Sequence, residues 1–126
     1  MDRIPAFLIE DRATIRENLT ATLEELTPVY VVGHAASEAE ALEWLRANPS
    51  EWTLLIVDIF LKSGSGLGVL AKMPPPSDGQ HAVILSNYIT EEIREQGSQL
   101  GVAAVFDKSN DIENLIDFCN AMPTAA

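Results

Sequence analysis

The stretch LLIVDIFLKSGSG, residues 54–66, passes in one step from an unbroken apolar run to an acid and then to a Gly/Ser-rich loop. Leu54, Leu55, Ile56 and Val57 do not alternate with polar residues. Such a run predicts a strand buried on both faces, as in a parallel sheet. Asp58 then stands at the mouth of that strand. A carboxylate there is costly unless something charged meets it, so the rest of the chain is expected to supply a partner.

Working outward, the same alternation of short apolar runs and helical stripes recurs. Ala6 to Ile9 is an apolar run stopped by Glu10 and Asp11, and Ile15, Leu19, Leu23 and Leu26 mark one helical face. Pro28 closes that helix. Val29 to Gly33 reads as a second strand. Ser37 to Glu40 matches a capping box, with Ala39, Leu42 and Leu45 behind it. After residues 54–66, Leu67, Leu70 and Ala71 give a short helix that Pro74, Pro75 and Pro76 must end. Ala82 to Leu85 is a fourth strand ending in Ser86. Thr90 caps a helix bearing Ile93, Gly97 and Leu100, and Gly101 takes the left-handed position after it. Val102 to Phe106 is a fifth strand, and Asn110 to Glu113 opens a last helix through Leu115, Ile116 and Cys119. Five strands alternating with five helices imply an α/β fold, a parallel sheet covered on both faces. A chain of 126 residues fits a single domain spanning 1–126.

Composition narrows the function. The net charge of −11 repels phosphate backbones and anionic lipid, so no direct nucleic-acid partner is expected. No apolar run approaches the ~20 residues that span a bilayer, and the N-terminus lacks the pattern of a signal peptide. No membrane insertion is therefore expected. Cys119 is the single cysteine. It permits no internal disulfide, suits a reducing, cytoplasmic setting, and reads as a small buried residue. His34 and His81 have no ligand-like spacing and read as surface or strand-end residues.

In a doubly wound sheet the ligand site lies beyond the carboxyl ends of the strands. The polar residues ending four of these strands are Glu10 with Asp11, Asp58, Ser86 and Lys108. Three acids on two strands repel one another unless a divalent cation sits among them. Oxygen-only ligands with an open side favour Mg²⁺. A hydroxyl and an ammonium on the other strands suit an incoming phosphoryl group, which makes Asp58 a plausible nucleophile toward phosphorus.

This set resembles the receiver domain of two-component response regulators, the chemotaxis-type fold, over residues 4 to 120. Its carriers are Glu10-Asp11, Asp58, Gly66, Ser86 and Lys108, in that order. The resemblance implies a flavodoxin-like doubly wound sheet of order 2-1-3-4-5 with five helices. It implies that Asp58 accepts a phosphoryl group from the phosphohistidine of a histidine kinase or phosphotransferase. Asp11, Asp58 and the main-chain carbonyl of Phe60 would hold Mg²⁺, and Glu10 would reach it through water. Ser86 and Lys108 would contact the phosphoryl oxygens. Such a domain is not an enzyme beyond its own phosphorylation and dephosphorylation. It would signal to a downstream protein through the fourth helix, fifth strand and fifth helix.

The chain departs from the family at several positions. Lys62 stands four residues after Asp58, where proline is usual. Ser109 follows Lys108 where many members have proline, so a trans peptide and a freer loop are expected. Asn87 is bulkier than the usual small residue and narrows the approach. Val105 occupies the switch position that usually holds an aromatic ring. Phe106 beside it must face the other way, so the usual aromatic rotamer signal is expected to be absent or rerouted. Phe60 and Tyr88, two residues beyond Asp58 and Ser86, should screen the site from water and slow dephosphorylation.

Other readings make distinct demands. An unphosphorylated receiver-like interaction module would take up neither Mg²⁺ nor phosphoryl groups. An aspartate-nucleophile phosphatase needs an acid where Phe60 stands. A flavin protein needs a phosphate loop after the first strand, where Glu10-Asp11-Arg12-Ala13 is hostile to phosphate. The start Met1-Asp2 and the neutral tail from Met122 favour a complete single-domain regulator over a receiver excised from a longer one.

Overall fold

A computed structural model of the chain describes residues 3–123. Met1-Asp2 and residues 124–126 of the tail from Met122, on which the expectation of a complete single-domain regulator rests, lie outside the described residues. Five strands, β1 (Ile4–Ile9), β2 (Val29–Ala35), β3 (Leu54–Val57), β4 (His81–Ser86) and β5 (Ala104–Asp107), alternate with five helices. The helices are α1 (Ala13–Leu26), α2 (Glu38–Ala47), α3 (Gly66–Lys72), α4 (Glu91–Gln99) and α5 (Ile112–Ala121). All pairings are parallel and the sheet order is β2-β1-β3-β4-β5. This is the expected flavodoxin-like, doubly wound topology.

The apolar run of β3 is the middle of the sheet and is at most 1% exposed at every residue. Alternate side chains feed two separate cores. Leu54 and Ile56 pack on one face with Leu19 and Leu23 of α1 and Leu115 and Cys119 of α5. Leu55 and Val57 pack on the other with Leu42 and Leu45 of α2 and Val69 and Leu70 of α3. A strand covered on both faces has no use for a polar alternation, which is why β3 reads as continuous apolar sequence.

Caps set several helix starts. Ser37 Oγ accepts from Glu40 N–H at 3.2 Å while Glu40 Oε1 accepts from Ala36 N–H at 3.0 Å, the two halves of a capping arrangement. Thr90 Oγ1 accepts from Ile93 N–H at 3.2 Å. Gly101 has φ +84° just beyond α4, the left-handed residue expected there.

Strand ends differ from the sequence reading where neighbours decide them. β1 begins at Ile4, although Pro5 brings no N–H, because Pro5 O accepts from Thr53 N–H at 2.8 Å. β2 continues two residues past Gly33, and Glu10 N–H donates to Ala35 O at 3.0 Å. β5 begins at Ala104 rather than Val102, because Val102 N–H donates back to Gly97 O at 3.0 Å to close α4. Val105 and Phe106 face opposite ways as expected. Phe106 packs edge-on against Phe118 of α5, with ring centroids 5.8 Å apart, and Val105 joins the other core.

Candidate functional site

Four strand ends meet at one rim. Backbone bonds across the sheet bring them into line: Asp58 N–H donates to Ile9 O and Lys108 N–H to Ser86 O, each at 3.0 Å. One carboxylate oxygen from each of Glu10, Asp11 and Asp58 can be chosen so that all three lie within 4.8 Å of one another. Glu10 and Asp58 are buried, at 2% and 7% exposed.

The partner demanded by Asp58 is Lys108. Its ammonium donates to Asp58 Oδ2 at 2.8 Å and also to Glu10 Oε1. Burial raises the Glu10 carboxyl above its usual range; hydrogen bonds from Lys108 and the Arg12 N–H offset part of that, and Asp58 adds to it. Burial by itself would lower Lys108, but hydrogen bonds to Asp58 and Glu10 outweigh it and hold the ammonium charged above its ordinary pKa.

Ser86 stands beside this group at the end of β4, fully buried. Its Oγ is a buried side-chain polar atom with no hydrogen-bond partner among the described residues. A cleft of about 650 Å³ opens onto these residues and is lined by Asp11, Asp58, Phe60, Lys62, Ser86 and Lys108, among others. Asn87 lines it too. The exposed rings of Phe60 and Tyr88 meet edge to face at its rim, with centroids 6.0 Å apart. His34 is exposed on the edge strand and His81 begins β4, at the opposite end from the cleft.

Two loops shape the site through bonds between carboxylates and backbone amides. Asp11 does not cap α1; the residue at the cap is Arg12, without a side-chain bond. Instead Asp11 Oδ2 accepts from the backbone N–H of Lys62 at 2.8 Å, and Asp58 Oδ1 accepts from Phe60 N–H at 3.3 Å. The loop after Lys108 was expected to be freer without proline. It is tied by two carboxylates: Asp107 Oδ1 accepts from Ser109 N–H at 2.7 Å, and Asp111 Oδ2 accepts from Asp107 N–H at 2.9 Å. Aspartate side chains bonding nearby backbone amides do here what a rigid ring would otherwise do. All described peptide bonds are trans. The tie was partly legible, since Asp-x-Ser and Asp-x-x-x-Asp place carboxylates at turn spacing.

The donor set fits a hard divalent cation. It offers carboxylate oxygens only, at one open rim, with a cleft that admits water and a further oxygen ligand. The unpartnered Ser86 hydroxyl and the Lys108 ammonium fit an anionic group beside it.

The family model of the response regulator receiver domain matches residues 6–120. The chain belongs to the response regulator receiver domain family. Receiver domains act in two-component signalling with histidine kinases and downstream effectors, as signalling modules rather than classical enzymes, and bind Mg²⁺ through acidic residues. Response regulator UvrY of Escherichia coli O6:H1 is 23% identical over 105 residues, which are 83% of this chain and 47% of that protein. This receiver domain thus spans about half the length of that curated relative. A response regulator protein from Burkholderia pseudomallei, solved with a phosphorylated aspartic acid, calcium ion and citrate, superposes with a TM-score of 0.78. It is 20% identical, and the match covers 94% of this chain and 67% of that one. The phosphorylated cyanobacterial phytochrome response regulator RcpA gives a TM-score of 0.71 at 26% identity, over 94% of this chain and 89% of its own. Among the described residues no helix is long and apolar enough to cross a membrane.

Proposed function

We propose that this receiver domain takes up a phosphoryl group on Asp58 in a Mg²⁺-dependent reaction and thereby switches a partner-binding face. The observation that carries the reading is the convergence of Glu10, Asp11 and Asp58 around one rim, with Lys108 bonded to two of them and the Ser86 hydroxyl unpartnered beside them.

Asp11, Asp58 and the main-chain carbonyl of Phe60 would hold the ion, and Glu10 would support it through water. When bound, the ion supplies positive charge that screens the acids and draws phosphoryl oxygens toward the cleft. The remaining work belongs to the side chains. Asp58 presents a carboxylate oxygen to phosphorus, and the phosphoramidate bond of a phosphohistidine donor breaks as the new P–O bond forms. Lys108 shifts from its two ground-state carboxylates, Asp58 and Glu10, to pair with a phosphoryl oxygen. Ser86 donates its hydroxyl to another, which gives a buried polar atom the partner it otherwise lacks. Phe60 and Tyr88 restrict the approach of water, which favours a long-lived phosphoprotein.

The output face comprises α4, β5 and α5. Val105 reaches the same core as Ile84, Ile93 and Val102, so a movement of Ser86 and its strand end would reach α4 through aliphatic contacts. Phe106, held against Phe118 on the other face, is not positioned to turn with it. The donor would be a histidine kinase or phosphotransferase, and the receiver of the signal a protein.

Acetyl phosphate with Mg²⁺ tests the reading. Intact mass is expected to rise by one phosphoryl group for the native chain and to stay unchanged for Asp58→Asn or when Mg²⁺ is chelated. A native chain that never gains the mass under donor excess would show the domain to be an unphosphorylated interaction module.

A further inference from the structure

Glu38, the first residue of α2, lies outside the acidic rim, and the sequence marks it only as part of a capping box. Its side chain is only 17% exposed. Oε1 accepts from the backbone N–H of Ser65 at 2.9 Å, and Oε2 accepts from Lys72 Nζ at 2.7 Å. Its own N–H donates to Ser63 O at 3.2 Å. A single residue therefore ties α2 to the end of the loop after β3 and to the last turn of α3.

The glycines of residues 64–68 fit around this carboxylate. A Cβ at Gly64 would fall 2.3 Å from Glu38 Cβ, and one at Gly68 would fall 2.4 Å from Glu38 Oε1. Neither position admits a larger residue while Glu38 stays in place. The Gly/Ser-rich loop that opened the sequence reading is thus shaped to a side chain 27 residues upstream.

The loop so held is the one that orients the acids. Ser65 pairs with Phe60 in an isolated bridge, and Gly66 N–H donates to Ile59 O at 2.9 Å, which closes residues 59–66 into a compact turn. From that turn Phe60 N–H reaches Asp58, and Lys62 N–H reaches Asp11. Asp11 is partly exposed, and without the Lys62 amide its carboxylate would be free to leave the cluster.

We infer that Glu38 is a positioning residue for the acidic site: by holding Ser65 and Lys72 it fixes the loop whose amides at Phe60 and Lys62 aim the Asp58 and Asp11 carboxylates. The lowered pKa of Glu38, caused first by its bond from Lys72 and then by that from Ser65, agrees with a carboxylate ionised in place. The inference rests on the proposed function only in taking Asp11 and Asp58 as the metal-binding acids.

The test compares the native chain with Glu38→Ala, Glu38→Gln and Gly68→Ala. Amide exchange is followed by NMR in metal-free buffer, and Mg²⁺ affinity by calorimetry. Glu38→Ala is expected to speed exchange at Lys62 and Ser65 and to weaken Mg²⁺ by about tenfold, the usual scale for losing a group that orients a ligand. Phosphorylation by acetyl phosphate should recover at saturating Mg²⁺, because the acids themselves are intact. Glu38→Gln keeps an oxygen for Ser65 and should fall between the two. Gly68→Ala separates positioning from stability. Alanine strengthens a helix relative to glycine, yet its methyl would evict the carboxylate, so it should reproduce the Mg²⁺ defect without lowering thermal stability. Native exchange at Lys62 in Glu38→Ala would overturn the inference, as would a Mg²⁺ affinity that follows thermal stability across the variants. If the native chain bound no Mg²⁺ at all, the proposed function would fail, while the metal-free exchange measurement would still decide whether Glu38 holds the loop.

Discussion

Replacing Gly66 by alanine tests the close approach on which both the sheet and the site depend. A Cβ at that position would sit 2.2 Å from the carbonyl oxygen of Asp58, 2.9 Å from its carbonyl carbon and 2.6 Å from Val57 Cγ1. Two of these atoms are backbone of Asp58, the residue just beyond the central strand, so they cannot rotate away. Overpacking of this kind costs about 1–3 kcal/mol, and here the upper part of that range applies because the main chain must move. Alanine at the first residue of α3 recovers less than ~1 kcal/mol through helix propensity and reduced freedom of the unfolded chain. The balance is a destabilisation of about 2 kcal/mol. With a urea slope of roughly 2 kcal/mol/M for a domain of this size, the midpoint should fall by about 1 M. Fluorescence of Trp44 and Trp52 reports the transition; Trp44 stacks on Phe7 with centroids 4.1 Å apart, and Trp52 is 3% exposed. Gly79→Ala is the control. Its φ is +88° and nothing among the described residues lies within 4 Å of an added Cβ, so only backbone strain of about 1 kcal/mol is expected there. A Gly66→Ala protein that unfolds at the native midpoint would refute the argument from close approach. One no less stable than Gly79→Ala would assign the cost to glycine's freedom instead.

Two further outcomes follow from buried groups. Ser86→Ala removes a fully buried hydroxyl that bonds to nothing, so stability in urea should stay within ~1 kcal/mol of native or rise, while phosphoryl uptake from acetyl phosphate falls; a loss above ~2 kcal/mol would mean that the hydroxyl is bonded in the folded protein. Cys119 is fully buried, and burial pushes its thiol up to about 11. At pH 8 its thiolate fraction is then only ~0.1%, so alkylation by iodoacetamide should be at least about a hundredfold slower in native protein than in urea-unfolded protein; equal rates by intact mass would contradict the packing of α5.

Much of this domain was written locally. Continuous apolar runs at residues 54–57 and 82–85 declare strands covered on both faces, because a one-sided strand would alternate. The stripes through Leu19 and Leu23 and through Leu115 and Cys119 declare the helices that cover them, and Ser37, Thr90 and Gly101 mark ends through hydrogen bonds made within a few residues. Glu10, Asp11, Asp58, Ser86 and Lys108 could be grouped from sequence because a parallel sheet delivers the residue after each strand to the same rim.

Tertiary structure decided what depends on atoms far apart in the chain. The start of β5 moved because Gly97 claims the Val102 amide. The loop after Lys108 is held because two aspartates find amides at the right distance. Asp11 faces the amide of a residue 51 positions away, and Glu38 fills a cradle of glycines that reads in sequence as a flexible turn. Burial patterns repeat along the chain and are legible in it. A hydrogen bond between distant segments requires a distance of about 3 Å and a direction, and only the folded chain sets those.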